Sequence, residues 1–240
     1  SEQYENSIKS NGNDEWGIRY KEVSLDLPKL LKKKLGIVDE LTKGIDFLFK
    51  KNKVTKYIGA AKILSPNEIE IMNNEKAEII NADKIIIATG SESTNLPNIN
   101  VDEKKIVTST GALELDKVPE KMIVIGAGII GLEMGTVWRR LGAEVEVVEY
   151  LPRILPGIDD EIANNFMKIL QKQGVKFKLA QSVEKAQIIN EKVLLSVKDI
   201  NNNTHNELEA DVALISVGRK PNTNGLGVEK LNLKIDKHGF

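Results

Sequence analysis

The chain has 240 residues, enough for one large domain or two modest ones. A formal net charge of −1, from 34 basic and 35 acidic residues, gives no general attraction to nucleic acid or anionic lipid, and no apolar run approaches the ~20 residues that cross a bilayer, so neither a nucleic acid nor a membrane is an expected partner. Cysteine is absent, which excludes disulfides, thiolate metal sites and a cysteine nucleophile within these residues, and the polar, acidic first residues do not read as a secretory signal.

Residues 1–24 are polar, with Trp16, Ile18, Tyr20 and Val23 expected to form a short docking segment. From Asp26 to Lys51, Leu27, Leu31, Leu35, Val38, Leu41, Ile45 and Leu48 recur at three- and four-residue intervals, which predicts a helix with one apolar stripe for core packing. Pro28 suits its first turn. Between Val54 and Ile80 short alternating segments, broken at Gly59, Ser65-Pro66-Asn67 and Asn73-Asn74, predict a small antiparallel sheet. The run Lys84–Ala88 reads as a strand buried on both faces. Residues 92–119, with Pro97, Pro119 and several Asn, Ser and Thr, read as an inter-domain connection.

From Met122 the pattern alternates: strand 122–125, helix 129–141, strand 144–149, helix 159–173, strand 175–180. Such alternation predicts an α/β fold with a parallel sheet and right-handed crossovers. A hairpin around Asn201-Asn202-Asn203 and a buried strand from Asp211 to Val217 follow.

Gly126-Ala127-Gly128-Ile129-Ile130-Gly131 is a G-x-G-x-x-G string that follows the first of these strands and opens the first helix. In that context Gly126 makes the tight turn, Gly128 admits a dinucleotide pyrophosphate against bare backbone, and Gly131 lets helix and strand approach. Free N–H groups at the positive end of the helix then face the phosphates. Glu149 closes the second strand about 20 residues on, where a carboxylate accepts the adenosine ribose hydroxyls. It would repel a 2′-phosphate, and the nearest arginine, Arg153, lies beyond Leu151-Pro152, so NAD is expected rather than NADP. Asp159, Asp160 and Glu161 read as a helix cap and first turn, not a metal cluster. His205 and His238 read as surface residues. No catalytic residue and no metal site is assigned.

Leu41-Thr42-Lys43-Gly44-Ile45, Phe49 to Val54, Ile87-Ala88-Thr89-Gly90-Ser91, Ser109-Thr110-Gly111-Ala112-Leu113, Gly126 to Glu133 and Gly218-Arg219-Lys220-Pro221 together resemble the dihydrolipoamide dehydrogenase family. The Thr-Gly-Ser and Gly-Arg-x-Pro pieces also resemble glutathione and mercuric reductases. The resemblance implies a Rossmann-like NAD-binding domain, a parallel sheet plus β-meander, inserted in an FAD-binding domain of the same type. Residues 1–117 would then be part of the FAD domain with a helical arm and linker, 118–218 the NAD domain, and 219–240 the return to the FAD domain.

Carried over by motif, Gly126, Ala127, Gly128, Ile129, Ile130, Gly131, Leu132 and Glu133 would hold the NAD pyrophosphate and approach the nicotinamide. Glu149 would take the ribose, Val183 the adenine and Gly218 the nicotinamide side, while Ala61, Thr89, Gly90 and Ser91 match positions that touch FAD. The family's first glycine motif, its redox cysteine pair, its catalytic His and Glu and its dimerisation domain have no counterpart in these residues, so the chain alone is expected to be inactive and to bind FAD weakly or not at all. Uncovered apolar surface on the 26–51 stripe is expected to favour association. The intact enzyme would be a homodimer that takes electrons from dihydrolipoamide on the lipoyl domains of 2-oxoacid dehydrogenase complexes, in the mitochondrial matrix or a plastid. A non-catalytic dinucleotide-binding module, or part of a glutathione- or mercuric-reductase-like enzyme, are the alternatives.

Overall fold

The computed structural model describes residues 1–10, 21–237 and 239; Trp16, Ile18, Tyr20 and His238 lie outside the described residues. The chain forms two compact units, one from residues 1–31 and 93–218, the other from 32–92 and 219–240.

The first unit is built on a five-stranded parallel sheet of β5 (Ile106–Val107), β12 (Val212–Ile215), β6 (Lys121–Ile125), β7 (Glu144–Val148) and β8 (Lys176–Lys178), in that spatial order. Successive strand residues point to opposite faces, and both faces here are covered. Met122, Val124, Val145, Val147, Val212 and Leu214 pack with α4 (Ile129–Leu141) and α5 (Asp160–Lys172). Ile123, Ile125, Val148, Ala213 and Ile215 pack beneath an antiparallel meander of β9 (Gln181–Ile189), β10 (Lys192–Asp199) and β11 (His205–Ala210). Two-sided burial explains why β12 and residues 122–125 of β6 read as unbroken apolar runs. The helices behave as their sequence dictates: α5 is capped by Asp159, whose carboxylate accepts from the N–H groups of Glu161 and Ile162 at 2.9 and 3.2 Å, and α4 ends at Gly142 with φ 116. The Asn201–Asn203 turn closes β10 onto β11, with Asp199 accepting from the N–H groups of Asn201 and Asn202.

Of residues 92–119, expected as a connection, 93–119 instead belong to this unit. Ile99, Ile106, Val107, Ala112 and Leu115 are all buried, and the indole N–H of Trp138 donates to the Ala112 carbonyl at 3.0 Å, tying α4 to the short helix α3 (Ser109–Ala112). A two-residue strand and a four-residue helix carry too few residues to show a period, which is why the segment read as loop. At the chain's start α1 (Glu2–Ser10) lies against α4, with an ion pair of 3.4 Å from Arg140 to Glu5.

The second unit holds most of α2 (Leu27–Lys51) and an antiparallel sheet of β1 (Ala60–Ser65), β2 (Glu68–Asn73) and β3 (Lys76–Asn81). The helix is where its stripe predicted, but only Leu27, at the end that enters the first unit, is buried; Leu35, Val38, Leu41, Ile45 and Leu48 are exposed. Core packing therefore does not describe the stripe, because periodicity sets which residues share a face and not whether anything covers it. Lys84–Ala88 is likewise not a strand, and Ile86 is 90% exposed. A strand buried on both faces needs neighbours to take its backbone hydrogen bonds, and no described strand pairs with these residues. A short ribbon of β4 (Ser91–Ser93) and β13 (Arg219–Pro221) joins the two chain passages at this unit's edge.

Candidate functional site

A cleft of about 720 Å³ opens in the first unit at the carboxyl ends of the parallel strands, the place where open α/β sheets bind ligands. The turn from β6 into α4 forms its floor. Gly126, at φ 101, has its N–H bonded to the Val148 carbonyl at 2.8 Å, and a Cβ there would sit 2.6 Å from the Ser216 carbonyl. At Gly131 a Cβ would collide with the Gly126 carbonyl and the Ser216 hydroxyl, and lie 3.0 Å from Val124. Gly128 differs from both: its φ of −76 suits any residue, and a Cβ would meet nothing within 4 Å. Protein packing requires glycine at the first two positions, whereas at Gly128 a side chain would simply fill the cleft. The hydrogen-bonded ladder of α4 begins with Leu132 N–H to Gly128 carbonyl at 3.1 Å, so the amides of the first turn precede it, and Gly128, Ile129 and Ile130 line the cleft.

Glu149 follows β7 and also lines the cleft, with 7% of its surface exposed. One carboxylate oxygen accepts from the Ala127 N–H at 2.6 Å and the other from the Leu151 N–H at 2.8 Å. Each oxygen has two lone pairs, so the two backbone donors fix the carboxylate and leave one acceptor site on each oxygen. Such a geometry suits a vicinal diol. The residues present thus fit a dinucleotide: bare backbone and helix amides for the pyrophosphate, an anchored carboxylate for a ribose.

Of the other sequence-predicted residues, Val183 and Gly218 line the same cleft, Gly218 at φ 131. Ala127 is fully buried, its N–H held by Glu149 and its carbonyl accepting from Leu155 N–H at 2.9 Å. Leu132 faces the core and Glu133 is exposed on α4. Ala61, Thr89, Gly90 and Ser91 belong to the second unit: Ala61 lies on β1 opposite Ile71, the Gly90 carbonyl accepts from the Asn222 N–H at 3.0 Å, and the Ser91 hydroxyl accepts from Arg219 Nε at 2.7 Å. His205 is exposed, 3.3 Å from the Glu184 carboxylate.

Sequence reading missed Ser109, Tyr150, Leu155, Ile158, Gln181 and Ser216, all of which line the cleft. Ser216 reaches the carbonyls of Ile125 and Gly126 at 3.0 and 3.1 Å, so its single hydroxyl proton pins the glycine turn to the end of β12. A usable signal existed for Ser109 and Ser216, since both lie just beyond the carboxyl end of a parallel strand. Among the described residues no group of His, Asp and Glu could hold a metal ion, and no helix is long and apolar enough to cross a membrane.

The chain is 48% identical over 224 residues to the mitochondrial dihydrolipoyl dehydrogenase 1 of Arabidopsis thaliana, an alignment covering 93% of this chain and 44% of that protein. It is 47% identical to the mitochondrial dihydrolipoyl dehydrogenase of Dictyostelium discoideum, covering 93% and 46%. The chain therefore spans about half the length of the curated relatives it matches. Among solved structures it resembles the Cu(II) complex of RclA, an HOCl-induced flavoprotein disulfide reductase of Escherichia coli, with a TM-score of 0.77 and 26% identity, over 88% of this chain and 47% of that one. The model of the pyridine nucleotide-disulphide oxidoreductase family matches residues 3–240, and the chain belongs to that family.

Proposed function

We propose that residues 118–218, with 93–117 packed onto them, are the NAD-binding domain of a dihydrolipoyl dehydrogenase, and that the second unit contributes to its FAD-binding domain. In the intact enzyme electrons would pass from dihydrolipoamide through a protein disulfide and FAD to NAD, which supplies the hydride acceptor. This chain's own part is binding and orientation. The Gly128–Gly131 amides would donate to the pyrophosphate, and Glu149, held by Ala127 and Leu151, would accept both adenosine ribose hydroxyls. The single observation that carries the reading is Gly128, a glycine that neither backbone strain nor packing explains and that a close-lying ligand does.

With no cysteine in its 240 residues, the chain by itself has no sulfur for thiol–disulfide exchange. Thr89, Gly90 and Ser91, with Ala61, are proposed FAD contacts of the intact enzyme, and purified chain is expected to carry little flavin. A mitochondrial location belongs to the same proposal on the strength of the relatives' names, while lipoyl domains of 2-oxoacid dehydrogenase complexes as electron donors and a homodimeric assembly belong to it as what the family resemblance implies. The absence of cysteine equally favours a second reading, a non-catalytic dinucleotide-binding module, in which NAD binding stands without the electron path.

Calorimetric titration with NADH and NADPH tests the shared core of both readings. Saturable NADH binding, tighter than NADPH and with the preference reversed in Glu149→Arg, is expected. Equal affinity for the two nucleotides, or no effect of Glu149→Arg, would refute the ribose assignment.

A further inference from the structure

Gln181 lines the cleft beside the candidate ribose site. Its N–H donates to the Glu149 carbonyl at 2.8 Å, so the first residue of β9 adjoins the carboxylate that would take the adenosine ribose. Residues two apart on a strand share a face, and so do residues directly opposite on paired strands. Gln181 therefore shares a face with Val183 and with its partner Asp199 on β10. Val183 and Tyr150 line the same cleft and supply apolar surface for a base attached to that ribose.

Asp199 fixes which way the Gln181 amide is turned. One carboxylate oxygen accepts from the Asn201 and Asn202 N–H groups at 2.9 and 3.0 Å, and the other from Gln181 Nε2 at 2.7 Å. The bonds from the Asn202 N–H and the Gln181 amide, with a smaller share from Asn201, outweigh burial and hold the Asp199 carboxyl below its ordinary value of 3.8. It is therefore ionised at neutral pH and can only accept. The amide NH2 must face it, which turns the amide oxygen the other way, as an acceptor with no partner among the described residues.

We infer that Gln181 is a specificity-determining residue of the cleft: its amide oxygen accepts from the 6-amino group of adenine and sets the site against a 6-oxo purine, with Asp199 as the positioning residue that holds the amide in this orientation. The inference rests on the dinucleotide reading of the cleft. Adenine carries a donor at position 6, whereas hypoxanthine, like guanine, carries an acceptor there. Two acceptors brought together leave both unpaired. The two bases have nearly the same shape, so packing against Val183 or Tyr150 would not tell them apart.

The test is calorimetry of the 240-residue chain with NADH and with its 6-oxo analogue, reduced nicotinamide hypoxanthine dinucleotide, for wild type, Q181M and D199N. Wild type should bind NADH about tenfold more tightly than the analogue, the effect of one hydrogen bond. Q181M keeps the length of the side chain and removes the acceptor, so the preference should fall towards parity. In D199N the Asn201 and Asn202 N–H groups would hold the oxygen of the new amide, leaving its NH2 opposite Gln181. The Gln181 amide should then turn over and offer its own NH2 to the base, and the analogue should bind more tightly than NADH. A merely structural role for either residue would weaken both nucleotides alike. Intact NADH binding with no preference over the analogue in wild type, or a preference that either variant leaves unchanged, overturns this inference alone. Should Q181M unfold at the assay temperature, the sign of the D199N shift decides. A wild-type chain that binds no NADH overturns the reading of the cleft, and the inference with it.

Discussion

The two units carry similar sequence patterns and reach different ends. In the first, Ile123, Val124, Val145 and Val147 are fully buried because helices close one face of the sheet and a meander the other. In the second, a 25-residue amphipathic helix and a strand-like isoleucine run leave Leu41, Leu48 and Ile86 at 66%, 52% and 90% exposure. Local pattern thus sets which residues share an apolar face, while burial, and for a strand its formation, depends on whether the rest of the fold supplies a complementary partner.

The largest expected contrast is in stability. Ile123→Ala should cost about 2–5 kcal/mol, since it empties a closed core, whereas Ile86→Ala should stay within about 0.5 kcal/mol; chemical denaturation followed by circular dichroism measures both. Equal losses would mean that the second unit is as well packed as the first. Next comes the cleft. A Cβ at Gly128 meets no protein atom within 4 Å, so Gly128→Ala should leave the melting temperature nearly unchanged and weaken NADH about tenfold by intruding on the pyrophosphate space. NADH affinity surviving that change would remove the ligand as the reason for this glycine.

A third effect separates the units by association. Replacing Leu41 and Leu48 with Lys should shift the sedimentation of the chain towards monomer without altering stability, because exposed apolar patches drive self-association; an unchanged distribution would show that the stripe is not sticky. The smallest effect is acidic. Burial alone would raise the Asp211 carboxyl, but hydrogen bonds from the Lys192 ammonium at 2.6 Å and the Lys121 N–H at 2.8 Å outweigh it and hold the carboxyl below its ordinary value of 3.8. A carboxyl depressed in the folded state stabilises above its unfolded value and ceases to do so as pH falls through the folded one. The first unit should therefore lose about 1 kcal/mol below about pH 4 that Asp211→Asn has already lost at neutral pH. Identical acid profiles for wild type and variant would exclude this contribution.

How much could be read beforehand follows the same division. The parallel sheet, its two helices and the glycine turn were legible because each is specified by contiguous residues, and Gly126 and Gly131 answer to close backbone approaches within that turn. Glu149 was legible as an acid at a strand end. That Ala127, 22 positions away, anchors it was not, since only the pairing of β6 with β7 brings them together. Residues 92–119 hid a core segment behind turn-forming composition, with Ile99, Ile106 and Leu115 too widely spaced to form a pattern. The hydrogen bond from Arg153 to the Ile158 carbonyl and its ion pair with Asp160 depend on a doubled-back loop that no periodicity encodes. In the second unit the helix was legible and its exposure was not, because exposure is a property of what faces it.

The most direct test is a crystal structure of the chain grown with NADH. The pyrophosphate is expected to lie against the Gly128–Gly131 amides, with the adenosine ribose hydroxyls on the Glu149 oxygens that Ala127 and Leu151 already hold. Nucleotide bound elsewhere, or a ribose that leaves Glu149 untouched, would contradict it.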